Sequence, residues 1–258
     1  MEVVVCKSYE ELSRKAALSV AEIVRVKPDA VLGMAAGSSP LGLYRELIRM
    51  HREESLDFAR VTTFNLDEYV GLPPSHDQSY HYFMNESFFQ HVNIPEANIH
   101  IPSGTADDYE SFCRHYEELI AESGGIDVQI LGIGADGHMA FNEPTSSLAS
   151  RTRLKTLAKQ TIEDNSRFFE KIEDVPVHAV TMGVGTILEA RKLVLVADGQ
   201  KKADAMAAAI EGPVTSMVTT SAIQLHANVE VYLDEAAAAK LKMRDYYDWV
   251  QANKPGVD

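Results

Sequence analysis

Hydrophobic positions along the chain follow two alternating spacings. Short runs rich in β-branched residues, such as EVVVC at 2–6 and KLVLVAD at 192–198, alternate with longer segments that have one apolar face, such as SYEELSRKAALSVAEIV at 8–24. A short, near-continuous apolar run is typical of a strand that is buried on both faces, and the longer segments have the period of an amphipathic helix. The alternation predicts an α/β fold with a Rossmann-like, doubly wound, mostly parallel sheet and helices on both faces.

The same spacing predicts the remaining elements. Further strands are expected in DAVLGMA, RVTTFN, NIHIP, IDVQILGIG, HAVTMGV and VEVYLD, and further helices in PLGLYRELIRMHREE, SYHYFMNESFFQHV, DDYESFCRHYEELIAES, QKKADAMAAAIEG and EAAAAKLKMRDYYDWVQ. Because the chain has no repeat and no linker-like tract, residues 1–258 are predicted to form a single domain. Two long loops, 66–78 and 138–150, follow predicted strands, which is where ligands bind in open α/β sheets.

Composition narrows the classes of function. The formal net charge of −14 would repel nucleic acids and anionic membrane surfaces, so we expect neither as a partner. The two cysteines are far apart, which indicates neither a disulfide framework nor a zinc site. No secretion signal and no apolar run of about 20 residues is apparent, and we expect a cytoplasmic protein.

The stretch LGIGADGH at 131–138 contains G-x-G-x-x-G after an apolar run. A dinucleotide-binding motif needs its last glycine to open a helix, whereas Pro144 makes a regular helix after this one unfavourable. The alternative is a sharp turn that presents Asp136, His138 and Glu143 to one crevice, where a carboxylate can orient an imidazole for proton transfer. A tight turn with surface charges is a third interpretation.

The segment GMAAGSSP at 33–40 connects a predicted strand to a predicted helix, with Ser39 expected as the N-cap and Pro40 at the first helical position. Such a loop can bind a phosphate with free N–H groups, although an ordinary capped turn has the same sequence. It lacks the Gly-Lys-Ser/Thr of an ATP-binding loop. Since the loop is neutral, cations must come from elsewhere, and Arg167 and Lys201 are the candidates.

Two further groups of charges are candidates for chemistry. Asp67 and Glu68 follow a buried strand, where neighbouring carboxylates tend to have their pKa values pushed apart, although loop acids are often merely solvated or capping. Arg151, Arg153 and Lys155 recur with period two, so a strand would place them on one face. They would either bind an anion or guard an exposed edge strand against aggregation.

Five stretches together resemble the glucosamine-6-phosphate deaminase family over nearly the whole chain. They are GMAAGSSPLGLYRELI, TTFNLDEYVGLPPSHDQSYHYFMNESFF, GIGADGHMAFNEPTSSLASRTRLKTL, NSRFF and AVTMGVGTILEA. The resemblance implies conversion of glucosamine 6-phosphate and water to fructose 6-phosphate and ammonia without a metal or an organic cofactor. It excludes the dinucleotide interpretation of the glycine motif.

The resemblance also assigns roles to residues. It implies that His138, with Asp136 and Glu143, opens the sugar ring, and that Asp67 takes the proton from C2 and returns it to C1 through an enolamine. The phosphate of the substrate is expected on residues that match the family's cradle: Gly37, Ser38, Ser39, Arg167 and Lys201. The family's usual threonine in this loop is replaced by Ala36, which removes one hydroxyl.

Some members of the family are hexamers activated by N-acetylglucosamine 6-phosphate. Ser146, Arg153 and Lys155 match residues that bind the activator's phosphate, so the resemblance implies a homo-oligomer and an allosteric anion site. The C-terminal segment 243–258 departs from the tail that completes this site in regulated members.

Two other functions are compatible with the fold. A 6-phosphogluconolactonase would need no base at C2, and NLDEY together with GHMAFNEP argues against it. A catalytically silent sugar-phosphate sensor should lack the acids and the histidine and should carry a DNA-binding segment.

Overall fold

The computed structural model describes residues 1–254, and the last four residues of the predicted domain, 255–258, lie outside the described part. The strands are β1 Glu2–Cys6, β2 Val31–Met34, β3 Thr62–Asn65, β4 Asp67–Tyr69, β5 Ile99–His100, β6 Val128–Leu131, β7 Arg153–Thr156, β8 His178–Thr181, β9 Leu193–Ala197 and β10 Val229–Asp234. The helices are α1 Tyr9–Val26, α2 Leu41–Glu54, α3 Tyr80–Ser87, α4 Tyr109–Glu122, α5 Lys159–Asn165, α6 Val184–Leu188, α7 Ala203–Glu211 and α8 Arg244–Ala252.

Seven strands form one parallel sheet in the order β1-β10-β9-β6-β2-β3-β5. Every residue of β2, β6 and β9 is buried, as expected for strands covered on both faces. The predicted α/β class with a mostly parallel sheet is therefore confirmed. No described helix is both long and apolar enough to cross a membrane.

Three other strands form a small antiparallel sheet in the order β4-β8-β7. The prediction that HAVTMGV forms one of the parallel strands was wrong, since β8 belongs to this second sheet. Residues 67–69 were predicted as loop but form β4, and Arg151 lies before β7 rather than in it. Short strands of this kind are set by pairing with distant partners, so the local apolar pattern does not reveal them.

The helix predicted over 235–251 begins only at Arg244. Upstream of it the chain makes turns in which several N–H groups bind side-chain carboxylates. Asp234 Oδ1 accepts the Ala237 N–H, and Glu211 accepts the N–H groups of Lys242 and Met243. Tertiary hydrogen bonds thus replace the helix that the alanine-rich sequence favours.

The chain reverses direction across the large sheet between β2 and β6. After β2 it continues through β3 to β5, and β6 then returns to the other side of β2, followed outward by β9 and β10. At such a switch point the loops after neighbouring strands separate and leave a crevice at the carboxyl edge of the sheet. The loops after β9, β6, β2 and β3 surround this crevice.

Candidate active site

The loops at this edge contain most of the residues that the sequence analysis singled out. Lys201 follows β9, Asp136 and His138 follow β6, residues 37–39 follow β2, and Asp67 follows β3. Since the four strands are parallel neighbours in the sheet, their ends meet at one place.

The loop after β2 is fixed from both sides. Gly37 has φ +112°, a conformation that side chains rarely adopt, so the turn requires glycine there. The hydroxyl of Tyr9 on α1 donates toward the carbonyls of Ser38 and Ser39, both at 3.1 Å, and accepts the N–H of Gly42 at 2.7 Å. The turn is therefore held in shape before any ligand binds.

Ser39 does not cap α2 as predicted. The capping position belongs to Pro40, which makes no side-chain capping bond. Ser39 Oγ instead donates to Asp198 Oδ1 at 2.6 Å, which joins the loop after β2 to the loop after β9. The local sequence did not reveal this bond because its acceptor is a carboxylate far away in the chain, and a hydrogen bond to a charged group is stronger than one between neutral groups.

The loop after β6 turns sharply and does not open a helix. Gly137 has φ +88°, and residues 135–152 contain no helix. A Cβ atom on Gly134 would overlap the imidazole ring of His138, whereas a Cβ on Gly132 would meet nothing within 4 Å. Gly134 is thus the glycine that makes room for His138, and the helix that a dinucleotide pyrophosphate needs is absent from this described segment.

His138 lies between two carboxylates. Its Nδ1 is 2.7 Å from Asp136 Oδ1 and 3.6 Å from Glu143 Oε2. Burial acts to raise the pKa of Asp136, but hydrogen bonding and the electrostatic interaction with His138 outweigh this and lower that pKa. Asp136 is therefore the nearer of the two carboxylates to the ring.

Glu143 is almost completely buried, with an exposed fraction of 4%. Its Oε1 accepts the Ala158 N–H at 2.9 Å, and its Oε2 faces His138 without a hydrogen bond in the described residues. One oxygen is therefore anchored and the other is directed at the imidazole. A buried carboxylate oxygen without a donor is costly for folding, which is typical of a group kept for chemistry.

Thr181 on β8 joins the loop of His138 to the strand of Asp67. Its Oγ1 accepts the Phe141 N–H at 3.1 Å, and the residue pairs with Asp67 across the small sheet. Asn142 adds a second link, since its Nδ2 donates to Met182 O at 2.8 Å. The small sheet therefore sets the position of Asp67 relative to His138.

Asp67 is buried, with an exposed fraction of 7%. Burial and, to a smaller extent, the charge of Glu68 raise the pKa of Asp67 to about 8. A carboxyl group with such a pKa can act as a general base near neutral pH, because proton transfer is most efficient when the pKa lies near the working pH. The buried position and a pKa close to neutral pH are both compatible with the predicted base.

The structure brings Lys202, rather than Lys201, toward the site. Lys201 is exposed, whereas Lys202 is partly buried and its Nζ donates to Ile133 O at 2.6 Å in the loop after β6. Burial lowers the pKa of Lys202, and the nearby charge of Arg167 lowers it further. Two cations that repel each other across a crevice are the arrangement that an anion would stabilise.

Arg167 itself lies on the surface over this crevice. It is exposed, follows α5 in a short 3-10 helix, and its guanidinium stacks on the ring of Phe168 at 4.6 Å. Lys202 is the residue that the sequence analysis missed. Two adjacent lysines look alike in sequence, and only the fold shows that Lys202 is the partly buried one.

The basic stretch before and within β7 does not act as one face. The guanidinium of Arg151 pairs with Glu117 and Glu189, so acids neutralise it. Arg153 donates to Asn142 Oδ1 at 2.9 Å, and burial lowers its pKa. Lys155 forms no ion pair with a described residue. β7 is an edge strand of the small sheet, where charged side chains can guard against aggregation. Arg153 in addition contacts the loop that carries His138, through Asn142.

Asp136, His138 and Glu143 each offer one ligand atom, and these atoms lie within 4.8 Å of one another. Two carboxylates and an imidazole are also a donor set for a divalent cation. The expectation of a reaction without metal or cofactor therefore stays a prediction.

Comparison with known proteins identifies the family of this chain. The profile described as glucosamine-6-phosphate isomerases/6-phosphogluconolactonase matches residues 7–232. The chain belongs to this family. A protein from Rhodococcus jostii named glucosamine-6-phosphate deaminase is 52% identical, and the match covers 99% of this chain and 98% of that protein. A protein of the same name from Thermoanaerobacter pseudethanolicus is 49% identical, and the match covers 95% of this chain and 97% of that protein.

A solved structure described as a monomeric glucosamine-6-phosphate deaminase superposes with a TM-score of 0.91 and is 46% identical. The match covers 93% of this chain and all of the other. The resemblance inferred from the motifs is thereby confirmed.

Proposed function

We propose that this chain is a glucosamine-6-phosphate deaminase, which converts glucosamine 6-phosphate and water to fructose 6-phosphate and ammonia. The observation that carries the proposal is the pair of proton-transfer groups at one crevice: a buried Asp67, and His138 between two carboxylates. The similarity to deaminases over nearly the full length supports the same activity.

The loop after β2 would bind the substrate's phosphate. Its Gly37, Ser38 and Ser39 lie at the start of α2, where free N–H groups and the helix dipole favour an anion. Lys202 and Arg167 would supply the positive charge. We propose Lys202 in place of Lys201 because the Nζ of Lys202 contacts the loop after β6 at the crevice, whereas Lys201 is exposed.

His138 would open the sugar ring. With Nδ1 facing Asp136, the imidazole keeps Nε2 for the substrate and can move a proton from the C1 hydroxyl to the ring oxygen. The C1–O bond gains carbonyl character as the bond from C1 to the ring oxygen breaks, so the open-chain aldehyde forms without net loss of a proton. Asp136 and Glu143 stabilise the imidazolium during this transfer.

Asp67 would then isomerise the open chain. The carboxylate takes the proton from C2, which gives an enolamine, and the carboxylic acid returns that proton to C1. Water adds to the resulting imine at C2, and ammonia leaves to give the ketone. The substrate's ammonium group favours ionised Asp67 when it binds, because an opposite charge nearby lowers a carboxyl pKa.

The decisive experiment measures the release of ammonia and fructose 6-phosphate by the wild type and by Asp67→Asn. Both assays are run with and without a chelator and are repeated with 6-phosphogluconolactone as substrate. Equal amounts of the two products from the wild type, with a loss of about 10²-fold or more in the variant, are expected. Hydrolysis of the lactone alone would identify a lactonase, no turnover at all would leave a sensor, and activity lost only with the chelator would point to a metal at His138.

We propose that Ser146, Arg153 and Lys155 form an anion site for an activator such as N-acetylglucosamine 6-phosphate. The buried Ser146 Oγ has no hydrogen-bond partner in the described residues, and Arg153 contacts the catalytic loop through Asn142. The test is a titration of the activator during the assay. An unchanged substrate half-saturation would exclude regulation at this site.

Assembly and location remain proposals. We propose a homo-oligomer in the cytoplasm, and sedimentation in the presence and absence of N-acetylglucosamine 6-phosphate would test the first part. A single sedimenting species of 28.5 kDa would contradict the homo-oligomer. Such a monomer would match the similar deaminase that is described as monomeric.

A further inference from the structure

Glu68 follows Asp67 in β4 and has no task in the mechanism above. Its side chain is completely buried. Successive side chains of a strand point to opposite faces, so Glu68 extends away from the face that carries the Asp67 carboxyl. A buried acid that meets no substrate needs another reason for its place, since burial of a charge is costly.

Four nitrogen atoms surround the Glu68 carboxylate. Oε1 accepts the N–H groups of Tyr69 at 2.7 Å and Tyr80 at 2.9 Å. Oε2 accepts the His81 N–H at 3.0 Å and lies 2.8 Å from His81 Nδ1. Hydrogen bonds of this kind compensate a buried negative charge.

Two of these donors are the first N–H groups of α3. The next free N–H of the helix, from Tyr82, binds Ser79 Oγ at 3.1 Å. Glu68, although it lies in β4, therefore caps the N-terminus of α3 with its side chain. This contact fixes the backbone of β4, and with it Asp67, against the helix.

We propose that Glu68 is a positioning residue for the catalytic base: it fixes β4 to α3 and keeps a buried negative charge beside Asp67, so that Asp67 holds its proton until the substrate's cationic amine arrives. The proposal rests on the deaminase function proposed above. The electrostatic effect of Glu68 has the direction that the proposal requires, because the charge of Glu68 adds to burial in raising the pKa of Asp67.

Besides the groups of the crevice, three phenols lie close enough to respond to Asp67. The charge of Asp67 acts on Tyr69 of β4, Tyr80 of α3 and Tyr116 of α4, and burial raises the pKa of each. These phenols stay neutral near pH 8 and cannot produce a shift there. His81 faces Glu68, is partly exposed, and lines a cavity of about 340 Å³ together with His100 and Tyr116.

The test compares the pH dependence of kcat/KM in wild type, Glu68→Gln, His81→Ala and Glu230→Gln. Glu68→Gln removes the charge but keeps the shape, so the acid-side midpoint should move down by about one pH unit. His81→Ala removes a donor from Glu68 and leaves its charge less compensated, so the midpoint should move up. Glu230, which binds Ser19, Lys192 and Tyr232 far along the sheet in β10, is the control and should leave the midpoint unchanged.

A purely structural role would lower stability without moving the midpoint in opposite directions. Midpoints that stay at the wild-type value in both variants, or that move equally in Glu230→Gln, would overturn the proposal. If Glu68→Gln does not fold, the proposal is tested by the upward shift of the kcat/KM midpoint in His81→Ala. The absence of that shift would refute the proposal.

A second measurement does not depend on turnover. The carboxyl carbon of Asp67 can be titrated by NMR in the free protein, and its pKa should fall in Glu68→Gln and rise in His81→Ala. An inactive wild type with these shifts would refute the deaminase function but not the coupling, whereas an active wild type without them would refute the coupling alone.

Discussion

Asp136 and His138 are joined twice through one oxygen atom. Asp136 Oδ1 lies 2.7 Å from His138 Nδ1 and accepts the His138 backbone N–H at 3.1 Å. The same carboxylate thus holds both the imidazole and the turn that carries it. Substitution by asparagine keeps an oxygen for the backbone bond but removes the charge.

Asp136→Asn should therefore lower kcat by about 10²-fold with little change in the melting temperature. The loss arises because the neutral amide no longer stabilises the imidazolium that forms during ring opening. Steady-state kinetics with glucosamine 6-phosphate measure the effect, and Asp204→Asn, at an exposed acid on α7, is the control. A kcat near the wild-type value would make Glu143 the acid on which His138 depends.

Gly134→Ala should reduce kcat strongly, because the new Cβ would displace the imidazole of His138. The matched variant Gly132→Ala places a Cβ in open space within the same turn and should retain activity. The two variants are compared by kcat and by thermal unfolding. Equal activities would show that the imidazole can function from a displaced position.

Lys202→Met should raise KM for glucosamine 6-phosphate by roughly 10- to 100-fold, since a hydrogen bond to a charged group contributes about 1.5–3 kcal/mol. Lys201→Met should leave KM within about twofold, because that side chain is exposed. The comparison uses initial rates at equal ionic strength. A rise in KM for Lys201→Met alone would restore the assignment made from the sequence.

Asp67 should make the folded protein less stable as pH rises. Its folded-state pKa of about 8 lies above the ordinary aspartate value of 3.8, so between these values the folded state binds more protons than the unfolded state. Under that condition the free energy of unfolding falls with increasing pH. Asp67→Asn should remove this loss, and its melting temperature should exceed that of the wild type by more at pH 8 than at pH 4.5.

Differential scanning calorimetry at the two pH values measures this difference. Asn65, another buried polar residue near the end of β3, offers a control in Asn65→Ala, which should shift the melting temperature equally at both pH values. An equal shift for Asp67→Asn would mean that Asp67 is ionised in the free protein.

Ala36→Thr should lower KM by about two- to tenfold if its hydroxyl reaches the phosphate, because one hydrogen bond contributes about 0.5–1.5 kcal/mol. Ala36 is partly exposed in the loop after β2, so the larger side chain has room. Ala36→Val has the same shape without the hydroxyl and should not improve KM. An equal effect of both variants would attribute the change to packing.

Much of this arrangement follows from the sequence. Apolar runs with the strand and helix periods predict the parallel sheet, and the glycines around Asp136 and His138, with Pro144, predict a turn rather than a nucleotide-binding helix. Asp67, Asp136, His138 and Glu143 follow strands that end at one edge, so chain order already implies that they converge. These features depend on local periodicity and backbone sterics, which a linear pattern contains.

Other features were decided only by the tertiary structure. Pairing with β4 and β7, rather than local composition, places β8 in the small antiparallel sheet, and Asp198 takes the hydroxyl of Ser39 from its expected capping role. Packing after Gly199 selects Lys202 over its neighbour Lys201. Each of these outcomes depends on a contact with a residue far away in the chain. The free energy of such a contact cannot be inferred from the spacing of nearby residues in the sequence.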